Sequence, residues 1–217
     1  LFLFPKIEAA FLSTKRATKM AQKTFEEKLA EPLVDSPAKT IGSDFNGDGI
    51  HDIMTSALLN DDPPGNDGGA VYILYGAPSF SSTYRLDGAG VNVTVLAKAD
   101  SDRLGVRTAS AGDLNSDGFD DIVMGANFNS DGATSNSGAA YILYGHPSLA
   151  SDYRLDGSGV NVTIIGKTAS EQLGYDVAGG GDINGDGFDD LLIGGRYSDD
   201  GPGTDSGSVF ILYGSNS

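Results

Sequence analysis

The sequence predicts an all-β fold of tandem four-stranded units, and three of its features carry that expectation. From about residue 37 the chain copies itself every 69 residues: Ile-Leu-Tyr-Gly stands at 73–76, 142–145 and 211–214. Tyr-Arg-Leu-Asp-Gly recurs at 84–88 and 153–157, followed each time by Gly-Val-Asn-Val-Thr, at 90–94 and 159–163. That period is too long for a helical solenoid repeat. Within each unit, short β-branched and aromatic runs alternate with clusters of Gly, Asn, Asp and Ser, the composition of strands separated by turns. One acidic nonapeptide also recurs in register in every unit.

Residues 1–36 read as an N-terminal extension of different character. All 31 glycines lie at Gly42 or beyond, whereas Lys6, Lys15, Arg16, Lys19, Lys23, Lys28 and Lys39 are half of the 14 basic residues. Glycine punctuates turns and is rare inside helices, so the shift marks a boundary. Ala17, Met20, Ala21, Phe25 and Leu29 recur at near-helical spacing, Glu26, Glu27 and Lys28 are good helix formers, and Pro32 would stop the segment. A helix is therefore expected between residues 9 and 31. Ahead of it, the apolar residues 1–4 read as a short strand or an anchor for a partner's groove. They end at Pro5 and Lys6 and lack the basic start and long apolar core of a signal peptide. The chain starts without Met, as a mature or trimmed product would.

Residues 37–217 read as three repeats of four strands. Strand A leads into the acidic loop (residues 105–112 in the second unit) and strand B leaves it (121–126). Strand C holds Tyr-Ile-Leu-Tyr, and strand D holds Val-Asn-Val-Thr. Four short antiparallel strands per unit, radially repeated, make the blade of a β-propeller. The third unit runs out at Ser217 after strand C, so its blade is expected to be incomplete. Open blades leave strand edges exposed. Two alternatives follow: a fragment of a larger propeller, or a homo-oligomer whose copies complete one another. In the second, residues 1–36 would add to a neighbour's unfinished blade and build rings or filaments.

Composition narrows the function. No cysteine is present, so disulfides contribute nothing, and no run of 18 apolar residues offers a transmembrane helix. The net charge of −16 argues against nucleic acid and anionic lipid, which need clustered Lys and Arg. Much of the acidity sits in the recurring nonapeptide. It reads Asp44-Phe-Asn46-Gly-Asp48-Gly49-Ile50-His51-Asp52, then Asp113-Leu-Asn115-Ser-Asp117-Gly118-Phe119-Asp120-Asp121, then Asp182-Ile-Asn184-Gly-Asp186-Gly187-Phe188-Asp189-Asp190. Side-chain oxygens occupy positions 1, 3, 5 and 9, with glycine at 6 for a sharp turn. Calcium takes six to eight hard oxygen ligands in a flexible shell, and alternate residues of a tight loop supply them. Position 7 (Ile50, Phe119, Phe188) is expected to lend its carbonyl while its side chain packs inward. An EF-hand fails on two counts: position 12 is Thr55, Met124 and Ile193 instead of Glu, and the flanks are β-like. Solvated acidic turns would explain one such loop, but not three with every ligand position filled. Magnesium fits less well because it retains its waters. Three calcium sites are predicted.

Other residues point to no chemistry. His51 and His146 replace Asp and Ala of sister repeats, and no Gly-x-Ser-x-Gly elbow is present, so no catalytic group is expected. Asn92-Val-Thr94 and Asn161-Val-Thr163 match the N-glycosylation pattern but equally suit an alternating strand with a polar outer face. Tyr72, Tyr141 and Phe210, with Tyr75, Tyr144 and Tyr213, are expected to pack between blades. The loops at 61–64, 130–132 and 199–201 read as solvated turns able to tune a binding face.

These motifs resemble the FG-GAP repeat of integrin α-chain propellers and of many bacterial surface and secreted proteins, over about residues 37–217. Leu104-Gly105 and Leu173-Gly174 correspond to Phe-Gly, and Gly125-Ala126-Asn127 to Gly-Ala-Pro, with Ser56-Ala57 and Gly194-Gly195 as looser counterparts. Asp35-Ser36 departs from Leu-Gly in the first unit. The resemblance implies a calcium-stabilised propeller, extracellular or at the cell surface, that serves adhesion or recognition of a protein or glycan ligand without catalysis. A self-assembling structural subunit and an accessory domain of a secreted hydrolase are the alternatives.

Overall fold

The computed structural model describes residues 43–61, 67–81, 83–85, 90–131, 135–155, 159–198 and 205–216, within a compact unit running from Ile41 to Ser217. The expected N-terminal helix, and strand A of the first unit, lie outside the described residues. All regular structure among the described residues is β.

Three sheets correspond to the three units. The second is a full blade, with strand order β4 (Leu104–Gly112), β5 (Asp121–Ala126), β6 (Ala139–Leu143) and β8 (Val162–Ile165), every neighbour antiparallel. In the third unit β9 (Leu173–Gly181), β10 (Asp190–Gly195) and β11 (Ser208–Leu212) repeat the first three strands. The first unit supplies β1 (Ile53–Ala57), β2 (Ala70–Leu74) and β3 (Val93–Leu96).

The first sheet gains its fourth strand from the next unit. β7 (Asp152–Arg154) lies parallel to β3, pairing Thr94, Val95 and Leu96 with Asp152, Tyr153 and Arg154. The Thr94 N–H donates to the Ser151 carbonyl at 2.7 Å, so the recurring Tyr-Arg-Leu-Asp segment covers what would be an open edge. The outer strands also begin two residues later than Val-Asn-Val-Thr implies. Asn92 and Asn161 precede them and use their side-chain carbonyls to accept the N–H of Tyr75 and Tyr144, each at 2.8 Å.

The core lies between blades. Strand alternation sends Ile122, Met124 and Ala126 of β5, with Ala139, Tyr141 and Leu143 of β6, towards the first blade's Val71, Ile73, Val93 and Val95. The residues between them, Val123, Ala140 and Ile142, face Leu173, Val177, Leu191 and Ile193 of the third blade. A central blade buried on both faces accounts for the unbroken apolar runs of β5 and β6. Tyr72 and Tyr141 are buried as expected, their hydroxyls accepting from Asn60 Nδ2 at 3.0 Å and Asn129 Nδ2 at 3.1 Å. Phe210 and Tyr213 are exposed in this structure.

Candidate metal-binding loops

Loop 2 joins β4 to β5, loop 3 joins β9 to β10, and loop 1 leads into β1, so the repeat places each nonapeptide at the start of the equivalent strand B. Among positions 1 to 7, all three share four hydrogen bonds from backbone amides to side chains, and loops 1 and 3 add one from the Gly47 or Gly185 N–H to the first aspartate. Asp113 Oδ1 accepts the N–H of Asp117 at 3.0 Å, and its Oδ2 accepts that of Gly118 at 2.9 Å. Asn115 Oδ1 accepts from Asp117 and Asp117 Oδ1 from Phe119, both at 3.0 Å. Asp44, Asn46 and Asp48 in loop 1, and Asp182, Asn184 and Asp186 in loop 3, make the corresponding bonds. Short polar side chains that bond backbone amides a few residues ahead favour such turns over helix or sheet. Gly49, Gly118 and Gly187 take φ of 83°, 91° and 93°, where a Cβ is strained.

Position 9 plays a different part. Asp121 is completely buried; its Oδ2 accepts the Leu114 N–H at 2.8 Å and its Oδ1 the Gly145 N–H at 2.9 Å. Asp52 makes the same pair with Phe45 and Gly76, and Asp190 with Ile183 and Gly214. This carboxylate therefore ties the start of the loop to the glycine of Ile-Leu-Tyr-Gly. Gly76, Gly145 and Gly214 were not among the expected site residues, although their recurrence in register signals a constraint. A Cβ at any of them would collide with the carbonyl just before the position-9 aspartate.

Position 7 departs from expectation. Ile50 is 38 % exposed, and Phe119 and Phe188 are half-buried rather than packed inward. Phe119 lies over Gly47 of the preceding loop, where a Cβ would strike its ring.

Among the described residues, no group of three or more His, Cys, Asp or Glu side chains is already gathered in a metal-holding arrangement. The loop oxygens instead close on the loop's own amides; most accept one bond and keep a further lone pair, whereas Asp44 Oδ1 and Asp182 Oδ1 each accept two. The donor set nevertheless fits a hard divalent cation. Every loop places three carboxylates and an amide oxygen at positions 1, 3, 5 and 9, and no Lys, Arg or His among the described residues pairs with them; the ion pairs Lys98–Asp131 and Arg107–Asp176 lie elsewhere.

Burial raises the Asp121 carboxyl to about 7; its two backbone hydrogen bonds lower it only in part, and the neighbouring charges of Asp117 and Asp113 raise it further. Desolvation also pushes Asp52 upward. A carboxyl whose folded pKa exceeds its unfolded value binds protons more tightly when folded. Its contribution is full below pH 3.8 and is lost as pH rises through about 7. In EDTA, the urea midpoint should therefore fall between pH 5 and pH 8; a midpoint rising over that interval would contradict the burial argument.

The two Asn-Val-Thr segments differ in context. Asn92 and Asn161 are both exposed, but Thr94 is buried under β7 while Thr163 is exposed. His51 is exposed, and His146 Nδ1 accepts the Ser148 N–H at 3.1 Å.

A sequence profile described as FG-GAP repeat matches residues 40–74, 105–143 and 173–212. Among curated relatives, integrin alpha-PS5 of Drosophila melanogaster is 30 % identical over 157 residues, covering 71 % of this chain and 14 % of that protein. Integrin alpha-5 of Xenopus laevis is 32 % identical over 161 residues, with 70 % and 14 % covered. Integrin alpha pat-2 of Caenorhabditis elegans is 27 % identical over 181 residues, with 81 % and 14 % covered. The chain thus spans about one seventh of the length of these relatives.

Proposed function

This chain belongs to the FG-GAP repeat family, and we propose on that premise that it is a calcium-stabilised, non-enzymatic propeller region of an extracellular or cell-surface adhesion protein. The observation that carries this reading is the set of loop carboxylates left without a cationic partner among the described residues. Calcium would be held in loop 1 by Asp44, Asn46, Asp48, Asp52 and the Ile50 carbonyl. Asp113, Asn115, Asp117, Asp121 and the Phe119 carbonyl would serve loop 2. Asp182, Asn184, Asp186, Asp190 and the Phe188 carbonyl would serve loop 3. The ion supplies positive charge that neutralises carboxylates otherwise crowded at the blade ends. A protein ligand is the partner suggested by relatives named as integrin alpha chains. The integrin alpha chains among its relatives favour a role without catalysis.

Thermal melts in calcium and in EDTA test this reading. At calcium about 100 times Kd, each independent site stabilises the fold by roughly 2.7 kcal/mol. The melting temperature should rise in calcium, and the rise should vanish when Asp48, Asp117 and Asp186 are together replaced by alanine. Superimposable melts in calcium and EDTA would sink the calcium reading.

Self-association is a second reading, and a separate observation favours it. Val209, Phe210, Ile211 and Leu212 of the edge strand β11, with Tyr213 after it, are between 36 % and 69 % exposed, an apolar edge strand open on both faces that a second copy could cover. Light scattering in calcium should then give a mass that rises with protein concentration; a constant monomer mass would exclude it.

A further inference from the structure

Consecutive loops touch through a residue that the proposed coordination does not use. Asp120 occupies position 8 of loop 2, between the Phe119 carbonyl and Asp121. Its Oδ2 accepts the N–H of Asp44, the first residue of loop 1, at 3.0 Å, and its own N–H donates to the Asp44 carbonyl at 3.3 Å. The next junction repeats this clamp. Asp189 Oδ2 accepts the Asp113 N–H at 2.9 Å, and the Asp189 N–H donates to the Asp113 carbonyl at 3.3 Å. The approach is so close that a Cβ on Gly112 would overlap the Asp189 carboxylate. One residue along, the His146 N–H donates to the Phe45 carbonyl and the Ser215 N–H to the Leu114 carbonyl, both at 2.9 Å.

Resting on the calcium reading above, we propose that Asp120 and Asp189 are positioning residues that couple neighbouring calcium sites, so that filling one loop raises the affinity of the loop before it. Asp44 is the first ligand residue of loop 1, and Asp120 holds both polar groups of its backbone. The residues flanking Asp120 would themselves hold the ion of loop 2, so whatever orders residues 119–121 also fixes the acceptor that orders Asp44. The same connection runs from loop 3 to loop 2 through Asp189. Coupling of this kind is reciprocal, so loop 1 acts equally on loop 2. Loop 1 carries an exposed His51 at position 8 and offers no such carboxylate.

Calcium titration of the full chain, followed by NMR at the amides of Gly49, Gly118 and Gly187, gives one reporter per loop. In D120A the Gly49 midpoint should move to about tenfold higher calcium, within the usual range of coupling between sites. By the same reciprocity the Gly118 midpoint should rise with it, and the Gly187 midpoint, joined to loop 2 only through the intact Asp189 clamp, should move least of the three. D120N keeps an acceptor oxygen and should recover most of the shift, which a general loss of structure would not allow. Disabling loop 2 with D117A should weaken loop 1 in the wild-type background but add nothing in D120A. An unchanged Gly49 midpoint in D120A, or a D120N as weak as D120A, overturns the coupling while leaving calcium binding intact. If calcium moves none of the three glycine signals in the wild-type chain, the calcium reading itself fails and takes the coupling with it.

Discussion

Replacing Asp121 by alanine is expected to destabilise the metal-free chain by roughly 2–6 kcal/mol, the cost of leaving two buried amides without an acceptor. The carboxylate is fully buried and takes one hydrogen bond from Leu114 and one from Gly145. The first amide opens the loop, and the second belongs to the segment that follows β6. Alanine removes both bonds at once. Asparagine should cost less, because its carbonyl satisfies one amide while its NH2 group faces the other. Asp117 provides the contrast. It is exposed; its Oδ1 accepts the Phe119 N–H and its Oδ2 accepts Asn115 Nδ2, at a surface where water can take its place, so D117A should cost only about 1 kcal/mol in EDTA while abolishing stabilisation by calcium at that loop. Urea unfolding of both variants, with and without calcium, separates the two roles. If D121A costs under about 1 kcal/mol in EDTA, position 9 serves only as a ligand and does not hold the loop closed.

Much of this architecture is legible in the sequence because the repeat presents each element more than once. The segment 121–126, read as strand B, coincides with β5, and the nonapeptides fold into the tight turns that their Asp, Asn and Gly spacing implies. Contacts between units were harder to read. β7 is three residues long, too short for its alternation to signal a strand, and pairs in parallel with a strand of the preceding unit. Nothing local in Asp152-Tyr153-Arg154 reports that pairing. Asp120 looks like one more acidic loop residue until the neighbouring loop's amide is seen against it. The inward packing expected of position 7 failed for the same reason: the Phe119 ring meets Gly47 of another loop rather than the core of its own blade. Side-chain chemistry within a loop follows from spacing along the chain, whereas contacts between loops depend on how blades stack.

The blade-to-blade contact yields the other large effect. Gly174 of β9, the glycine of Leu173-Gly174, has φ of +77°, and a Cβ there would overlap the Ala139 carbonyl and lie 3.2 Å from Gly125 Cα. Gly125 is the corresponding point on the facing blade, and a Cβ on it would overlap the Gly174 carbonyl. The two glycine motifs of the repeat thus bring adjacent backbones together where no side chain fits. G174A should cost about 2–5 kcal/mol, from left-handed backbone strain of about 1–2 kcal/mol plus overpacking of about 1–3 kcal/mol. G118A isolates the first contribution. Gly118 has φ of +91° with nothing within 4 Å of its would-be Cβ, so its variant should lose only about 1–2 kcal/mol. The first junction shows what the contact requires. There Ser56 replaces the facing glycine, and its Oγ donates to the Gly105 carbonyl at 2.8 Å. G125S introduces that same side chain at the second junction, but against a carbonyl that already occupies its Cβ position. It should therefore destabilise the chain by more than 2 kcal/mol in urea unfolding. A neutral G125S would show that the second junction can widen to the spacing of the first, and that glycine at this point reflects loose packing between blades rather than close backbone contact.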